Sequence, residues 1–128
     1  MLGGSGEKKT FRLAARYADH LNIIAPLEDL PAKLVVLQQR CAEIDREPST
    51  LETSCLLTVV LDGFESHDMP EAHGGRVVTG SPQQVAEVIQ RQVLDVGLDG
   101  VIINLPTHGH TPGVIAQLGD ALAPLLRA

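Results

Sequence analysis

The sequence predicts an α/β protein built from βα units around a parallel sheet. Helical patterns and short apolar extended runs alternate along all 128 residues, which is the order that βα units produce. The extended runs are nearly continuous in apolar residues, as suits strands covered on both faces. The core must be made of Leu, Val, Ile and Ala, because Phe11, Phe64 and Tyr17 are the only aromatic residues and Trp is absent. A chain of this length suits one domain, residues 1–128, and can bury roughly two thirds of its unfolded surface.

The elements follow in order. Leu2-Gly3-Gly4-Ser5-Gly6-Glu7-Lys8-Lys9-Thr10 is a glycine-rich turn feeding a helical pattern, with only Met1 and Leu2 before it to act as a strand. Lys8 to Ala18 places Phe11, Ala14, Ala15 and Ala18 three and four residues apart, the spacing of an amphipathic helix. Asp19 to Ala25 is a brief strand that stops at Pro26. From Asp29 a second helix begins, with Pro31 in its first turn and Leu30, Leu34, Leu37, Cys41 and Ile44 on one face. Arg46-Glu47-Pro48-Ser49 ends it. Thr53 to Leu61 reads as the longest strand, and Asp62 to Gly80 as a surface loop with a short Val77-Val78 patch.

Ser81-Pro82-Gln83-Gln84 combines a capping Ser, a Pro at the first helical position and a Gln three residues after the cap. The helix it opens runs from Pro82 to Val96, with Val85, Val88, Ile89, Gln92 and Val96 on its inner face, and Gly97 closes it. Leu98 to Leu105 is another buried-type strand, ending at Pro106. The loop through His108 and His110 leads to a last helix from about Pro112, with Ile115, Leu118, Leu122 and Leu125 inward.

Charge and composition exclude some classes. A formal charge of −6 and the scarcity of aromatics argue against nucleic acid, which is bound through Lys and Arg and by base stacking. No apolar run approaches a membrane span and no signal pattern opens the chain, so the expected location is the cytoplasm. Cys41 and Cys55 lack metal-ligand or CxxC spacing and read as reduced core residues.

Candidate chemistry concentrates in the glycine run. Three glycines within four residues let backbone N–H groups approach a ligand, and the following helix adds free N–H groups and a positive dipole end, so a phosphate could sit there. The same Gly-Gly-Ser-Gly composition also describes a flexible linker. Among the histidines, His108 is the candidate general acid or base, because it lies just past the carboxyl end of a strand. His108 and His110 lack a third ligand, so no metal site is expected. His67 and His73 read as solvated, His20 as a structural hydrogen-bond donor, Glu7 as a first-turn helix acid, and Asp95 and Asp99 as surface and turn residues.

Taken in order, the glycine run, Leu13-Ala14-Ala15-Arg16-Tyr17-Ala18-Asp19, Gly80-Ser81-Pro82 opening a helix, and Gly97-Leu98-Asp99-Gly100-Val101-Ile102-Ile103-Asn104 resemble the carboxyl half of the luciferase-like monooxygenase superfamily. The likeness is greatest to the branch that uses the deazaflavin coenzyme, and it spans essentially the whole chain. Members of that family are (βα)8 barrels that bind a flavin or deazaflavin at the carboxyl ends of their strands. The resemblance therefore implies a half TIM barrel, in which the glycine loop follows strand five. Leu21 to Ala25, Ser54 to Leu61 and Val101 to Leu105 would be strands six to eight.

It further implies that the phosphate-bearing tail of FMN or the deazaflavin coenzyme lies near Gly3, Gly4, Ser5, Gly6 and Glu7, while Asn22 and the Asn104 end face the mouth. The amino-terminal half, with the first four strands and most of the fifth, would be missing. A homodimer, or a separate amino-terminal half, would then cover the exposed strand edges. The function expected on this basis is a truncated flavin- or deazaflavin-dependent oxidoreductase or monooxygenase. The alternatives are a non-catalytic dimerising module and a fragment with no role of its own.

Overall fold

The computed structural model describes residues 1–61, 76–105 and 111–126. Its elements are β1 (Leu2–Gly4), α1 (Thr10–Tyr17), β2 (His20–Ile23), α2 (Leu30–Ala42), β3 (Glu52–Leu61), β4 (Val77–Gly80), α3 (Pro82–Ile89), β5 (Gly100–Asn104) and α4 (Val114–Leu126). All strand pairs are parallel: β1 with β2, β2 with β3, and β3 with both β4 and β5. The predicted α/β class with a parallel sheet is the observed one.

The hydrogen bonds decide which edge of β3 each neighbour occupies, because alternate residues of a strand point their N–H and C=O groups to opposite edges. The Glu52 N–H donates to the Asp19 carbonyl, so even-numbered residues of β3 face β2; the Thr53 carbonyl accepts from the Asp99 N–H, so odd-numbered ones face β5. The Thr58 N–H donates to the Arg76 carbonyl. Thr58 is even-numbered, so β4 lies on the β2 edge, in line beyond the end of β2. Five strands therefore make four columns, in the order β1, β2 with β4, β3, β5.

One core cluster joins Leu21 and Ile23 of β2, Cys55, Leu57, Val59 and Leu61 of β3, and Val78 of β4 to buried residues of all four helices. The helices thus cover one face of the sheet, and the alternate residues His20, Asn22, Ser54, Thr58 and Val60 form the other. Phe11 is fully buried at the base of α1, worth about 1.5–3 kcal/mol relative to exposure. The expected glycine run is no linker: Leu2–Gly4 is a three-residue strand, with Gly3 in register with Asn22.

Several expectations are corrected. The stretch read as a loop up to Gly80 ends in β4, because Val77 to Gly80 finds the carboxyl half of β3 as a partner. The helix expected over Pro82 to Val96 is α-helical to Ile89 and then forms a π turn over Gln90–Leu94, closed by the Asp95 N–H to Gln90 carbonyl bond. Underwinding keeps a spacing of four on one face, so Val85, Ile89 and Val93 are buried while Gln92 is exposed. In α4 it is Val114 rather than Ile115 that turns inward with Leu118 and Leu122, and Ile44 lies outside α2 and is exposed. Strand β5 is not covered on both faces: Ile102 is exposed, and among the described residues β5 pairs with β3 alone.

Helix ends follow local chemistry. The Ser81 hydroxyl accepts from the Gln84 N–H and the Gln84 side chain accepts from the Ser81 N–H, a complete capping box. Helix α2 ends in a Schellman turn, with the Arg46 N–H bonded to the Cys41 carbonyl and the Asp45 N–H to the Ala42 carbonyl. Asp45 holds the left-handed position, φ 56°, that glycine usually takes.

Candidate functional site

The glycine loop leaves β1 at the carboxyl end of the sheet and enters α1 at Thr10. The Ile24 N–H donates to the Gly4 carbonyl and the Phe11 N–H to the Gly6 carbonyl, which ties the loop to β2 on one side and to the helix on the other. Gly4 has φ +147°, and side-chain carbons at Gly4 or Gly6 would stand 3.3 and 3.0 Å from Thr10 atoms. Both positions are tight, and Gly4 is also in a conformation that other residues rarely adopt. Lys9 supplies no side-chain cap to α1 and the first turn carries no acid, so the helix end keeps its positive character.

Two cations of α2 hold the loop from outside. Lys33 Nζ donates to the Ser5 carbonyl at 3.0 Å and pairs with Glu7 Oε1 at 3.2 Å, and Arg40 Nε donates to the Glu7 carbonyl at 3.1 Å. In a trans peptide the C=O and the next N–H point in opposite directions. Fixing the Ser5 and Glu7 carbonyls toward α2 therefore turns the N–H groups of Gly6 and Lys8 away from it, toward any anion on the far side. Sequence reading missed Lys33 and Arg40. The available signal was their spacing of seven, which puts two cations on one face of α2.

Glu7 is corrected in place and role: it lies in the turn before α1, not in the helix, and is engaged by Lys33. Asn22 is 5% exposed and donates through Nδ2 to Ser54 Oγ at 2.8 Å, while His20 Nε2 lies 2.7 Å from the same hydroxyl. The three side chains bond to one another on the face of the sheet turned away from the helices, where Asn22 and Ser54 are buried, and His20 takes part in a structural hydrogen bond. Asn104 closes β5 in register with buried Thr58, whereas Asn22 is in register with Ser54. Four residues along β3 is roughly 13 Å, so Asn22 and Asn104 do not meet. His108, His110, His67 and His73 lie outside the described residues.

Asp99 is more than a turn residue: its Oδ2 accepts from the Thr53 N–H at 2.8 Å and from the Thr53 hydroxyl at 3.1 Å, locking the start of β5 to β3. Asp95 accepts from the exposed Gln90 side chain. Both thiols are free and buried, and burial pushes Cys55 up to about 11 and raises Cys41, the latter offset in part by Arg46. A cavity of about 280 Å³, lined by Leu34, Cys41, Leu51, Thr53, Gly97 and Asp99 among others, lies at the amino ends of β3 and β5, and no residue of the glycine loop lines it. Among the described residues no helix is long and apolar enough to cross a membrane, and no three side chains gather to hold a metal ion.

No family model and no curated protein sequence matches the chain. Solved structures do. An F420-dependent secondary alcohol dehydrogenase in complex with an F420-acetone adduct matches over 98% of this chain and 48% of its own, at TM-score 0.76 and 14% identity. A riboflavin lyase with modified FMN and riboflavin matches over 98% and 42%, at 0.72 and 14%. A long-chain alkane monooxygenase matches over 98% and 40%, at 0.71 and 14%. These neighbours are of the luciferase-like type to which the sequence pointed, and the likeness shows the fold: a parallel α/β sheet matching part of a TIM barrel. The chain spans less than half the length of these three structures.

Proposed function

We propose that this chain is the cofactor-tail portion of a luciferase-like oxidoreductase, with the phosphate-bearing tail of FMN or a deazaflavin coenzyme held at Gly3, Gly4, Ser5 and Gly6. The observation that carries the reading is the strand-loop-helix of residues 2–17, whose turn is braced by Lys33 and Arg40 so that amide N–H groups face away from α2. The donor set suits a phosphate: backbone N–H groups and a helix start without a side-chain cap. The solved neighbours whose titles name F420 and FMN support the choice of cofactor class. A flavin or deazaflavin brings its own redox chemistry when bound; the residues of this chain bind and orient its tail. Glu7 pairs with Lys33. Asn22 within β2 and Asn104 at the end of β5 are further contacts, and His108 is the weak candidate for proton transfer.

The reading has the protein in the cytoplasm, which two buried free thiols favour. It also calls for more sheet than these residues supply, from a second copy or from a separate amino-terminal half. Titration with FMN and with the deazaflavin coenzyme, followed by absorbance and fluorescence, tests it. Saturable binding that is lost in Gly6→Val, with the circular dichroism unchanged, is the expected result. Absence of binding to either cofactor by the folded protein overturns it.

A second reading, a dimerising module without redox activity, is favoured by the Asn22–Ser54–His20 set, which is satisfied without any ligand. It requires that neither cofactor bind and that substitutions at Gly4 and Gly6 leave the assembly intact. The remaining alternative, a fragment with no role of its own, requires neither binding nor assembly.

A further inference from the structure

We propose that two copies of this chain close one eight-column barrel, the β5 edge of each copy pairing with the β1 edge of the other. The count comes first: four columns per copy give eight, the number at which a closed parallel sheet is just wide enough for side chains to fill it. Direction agrees. All strand pairs are parallel, so a twofold axis along the barrel sets each β5 beside the partner's β1 in the same sense, and the ring closes with no edge left over.

The edges are prepared for it. The Gly4 carbonyl is bonded to β2, so Gly3, one residue away, directs its N–H and C=O outward. On β5 the register sets Cys55 opposite Val101 and Leu57 opposite Ile103; odd-numbered residues of β3 face β5 and bond to Gly100, Ile102 and Asn104, so Val101 and Ile103 direct their N–H and C=O outward. Apolar surface flanks both edges. At one end Ile115 is 66% exposed, above a groove of about 390 Å³ between β5 and α4 lined by Ile103, Leu105, Leu118 and Leu122. At the other end Leu2, Leu13 and Tyr17 are exposed on β1 and α1. Closure sets α4 beside the partner's α1, and these apolar residues meet. Helix α1 and its approach carry Lys8, Lys9, Arg12 and Arg16, whereas Asp120 is the one charge of α4 over 114–126, so no like charges oppose.

The pairing also bears on the candidate site, because it brings the carboxyl end of the partner's β5 alongside the glycine loop. The inference deepens the half-barrel reading above, and mass is measured without cofactor, so its failure is separable from failure of cofactor binding. The experiment is sedimentation equilibrium on the purified chain from low to high micromolar concentration, with two variants. Val101→Pro deletes an outward N–H and leaves the even-numbered donors to β3 in place, a substitution that edge strands tolerate. Ile115→Asp puts a charge on the α4 surface without touching the core, and it decides the matter if the proline variant fails to fold.

The wild-type chain is expected at twice 13.7 kDa, and the folded variants at the monomer mass. A wild-type chain that stays at monomer mass throughout overturns the proposal, including one that pairs only with a separately supplied amino-terminal half. A dimer that survives both substitutions overturns it too, since pairing would then use another surface.

Discussion

The guanidinium of Arg46 caps the carboxyl end of α1, with Nη1 2.7 Å from the Ala18 carbonyl oxygen. The same nitrogen reaches the Ala14 and Ala15 carbonyls at 3.2 and 2.9 Å, while Nε and Nη2 bind the Thr50 hydroxyl and carbonyl. One residue thereby satisfies the end of α1, places a positive charge at its negative pole and ties it to the turn before β3. Arg46→Ala is expected to lower stability by about 2 kcal/mol, the scale of hydrogen bonds to a charged group. Arg46→Lys should recover only part of this, because an ammonium lacks the planar fork. Urea unfolding measures both, and equal stability of Arg46→Lys and wild type would contradict the role of the fork.

Ser54 is the shared partner of Asn22 and His20 in a region where Asn22 and Ser54 are both buried. Ser54→Ala removes the hydroxyl and leaves the Asn22 amide without its acceptor, at a cost of about 1–3 kcal/mol. The double variant Ser54→Ala with Asn22→Leu should lose less than the sum of the two single changes. Additive losses, read by thermal unfolding, would show that the two side chains do not act together.

Lys33 orients the glycine loop through the Ser5 carbonyl and Glu7. Lys33→Met is expected to weaken cofactor-tail binding about tenfold, equivalent to about 1.4 kcal/mol, while Glu7→Gln, which keeps Lys33 in place, should change it far less. Equilibrium titration of the two variants separates these outcomes. Equal affinity in wild type and Lys33→Met would remove Lys33 from the site.

Cys55 has its thiol raised from 9.0 to about 11 by burial. The folded chain therefore keeps the proton over a range where the unfolded chain has lost it. Stability is full below pH 9 and falls between pH 9 and about 11, by about 2–3 kcal/mol in all. Cys55→Ala should flatten that part of the pH profile, and denaturant unfolding across the window checks it. A profile unchanged by the substitution would assign the alkaline loss to other groups.

Local rules in the sequence determined the class, the alternation of helices with β2, β3 and β5, and the start of α3. Apolar residues at helical spacing marked α1 and α2, continuous apolar runs marked β3, and Ser81 with Pro82 and Gln84 announced a cap that forms as expected. These features are encoded within four residues, where periodicity and backbone chemistry act. What only the tertiary structure decided lies between residues far apart in sequence. The pairing of β4 with the end of β3 needed a partner strand, and the inward turn of Val93 in place of Gln92 depended on i→i+5 bonding after Ile89. The grip of Lys33 and Arg40 on the glycine loop, and of Arg46 on α1, joins groups about thirty residues apart. Such contacts leave no period in the sequence, because they are set by which helix the core packs beside which loop.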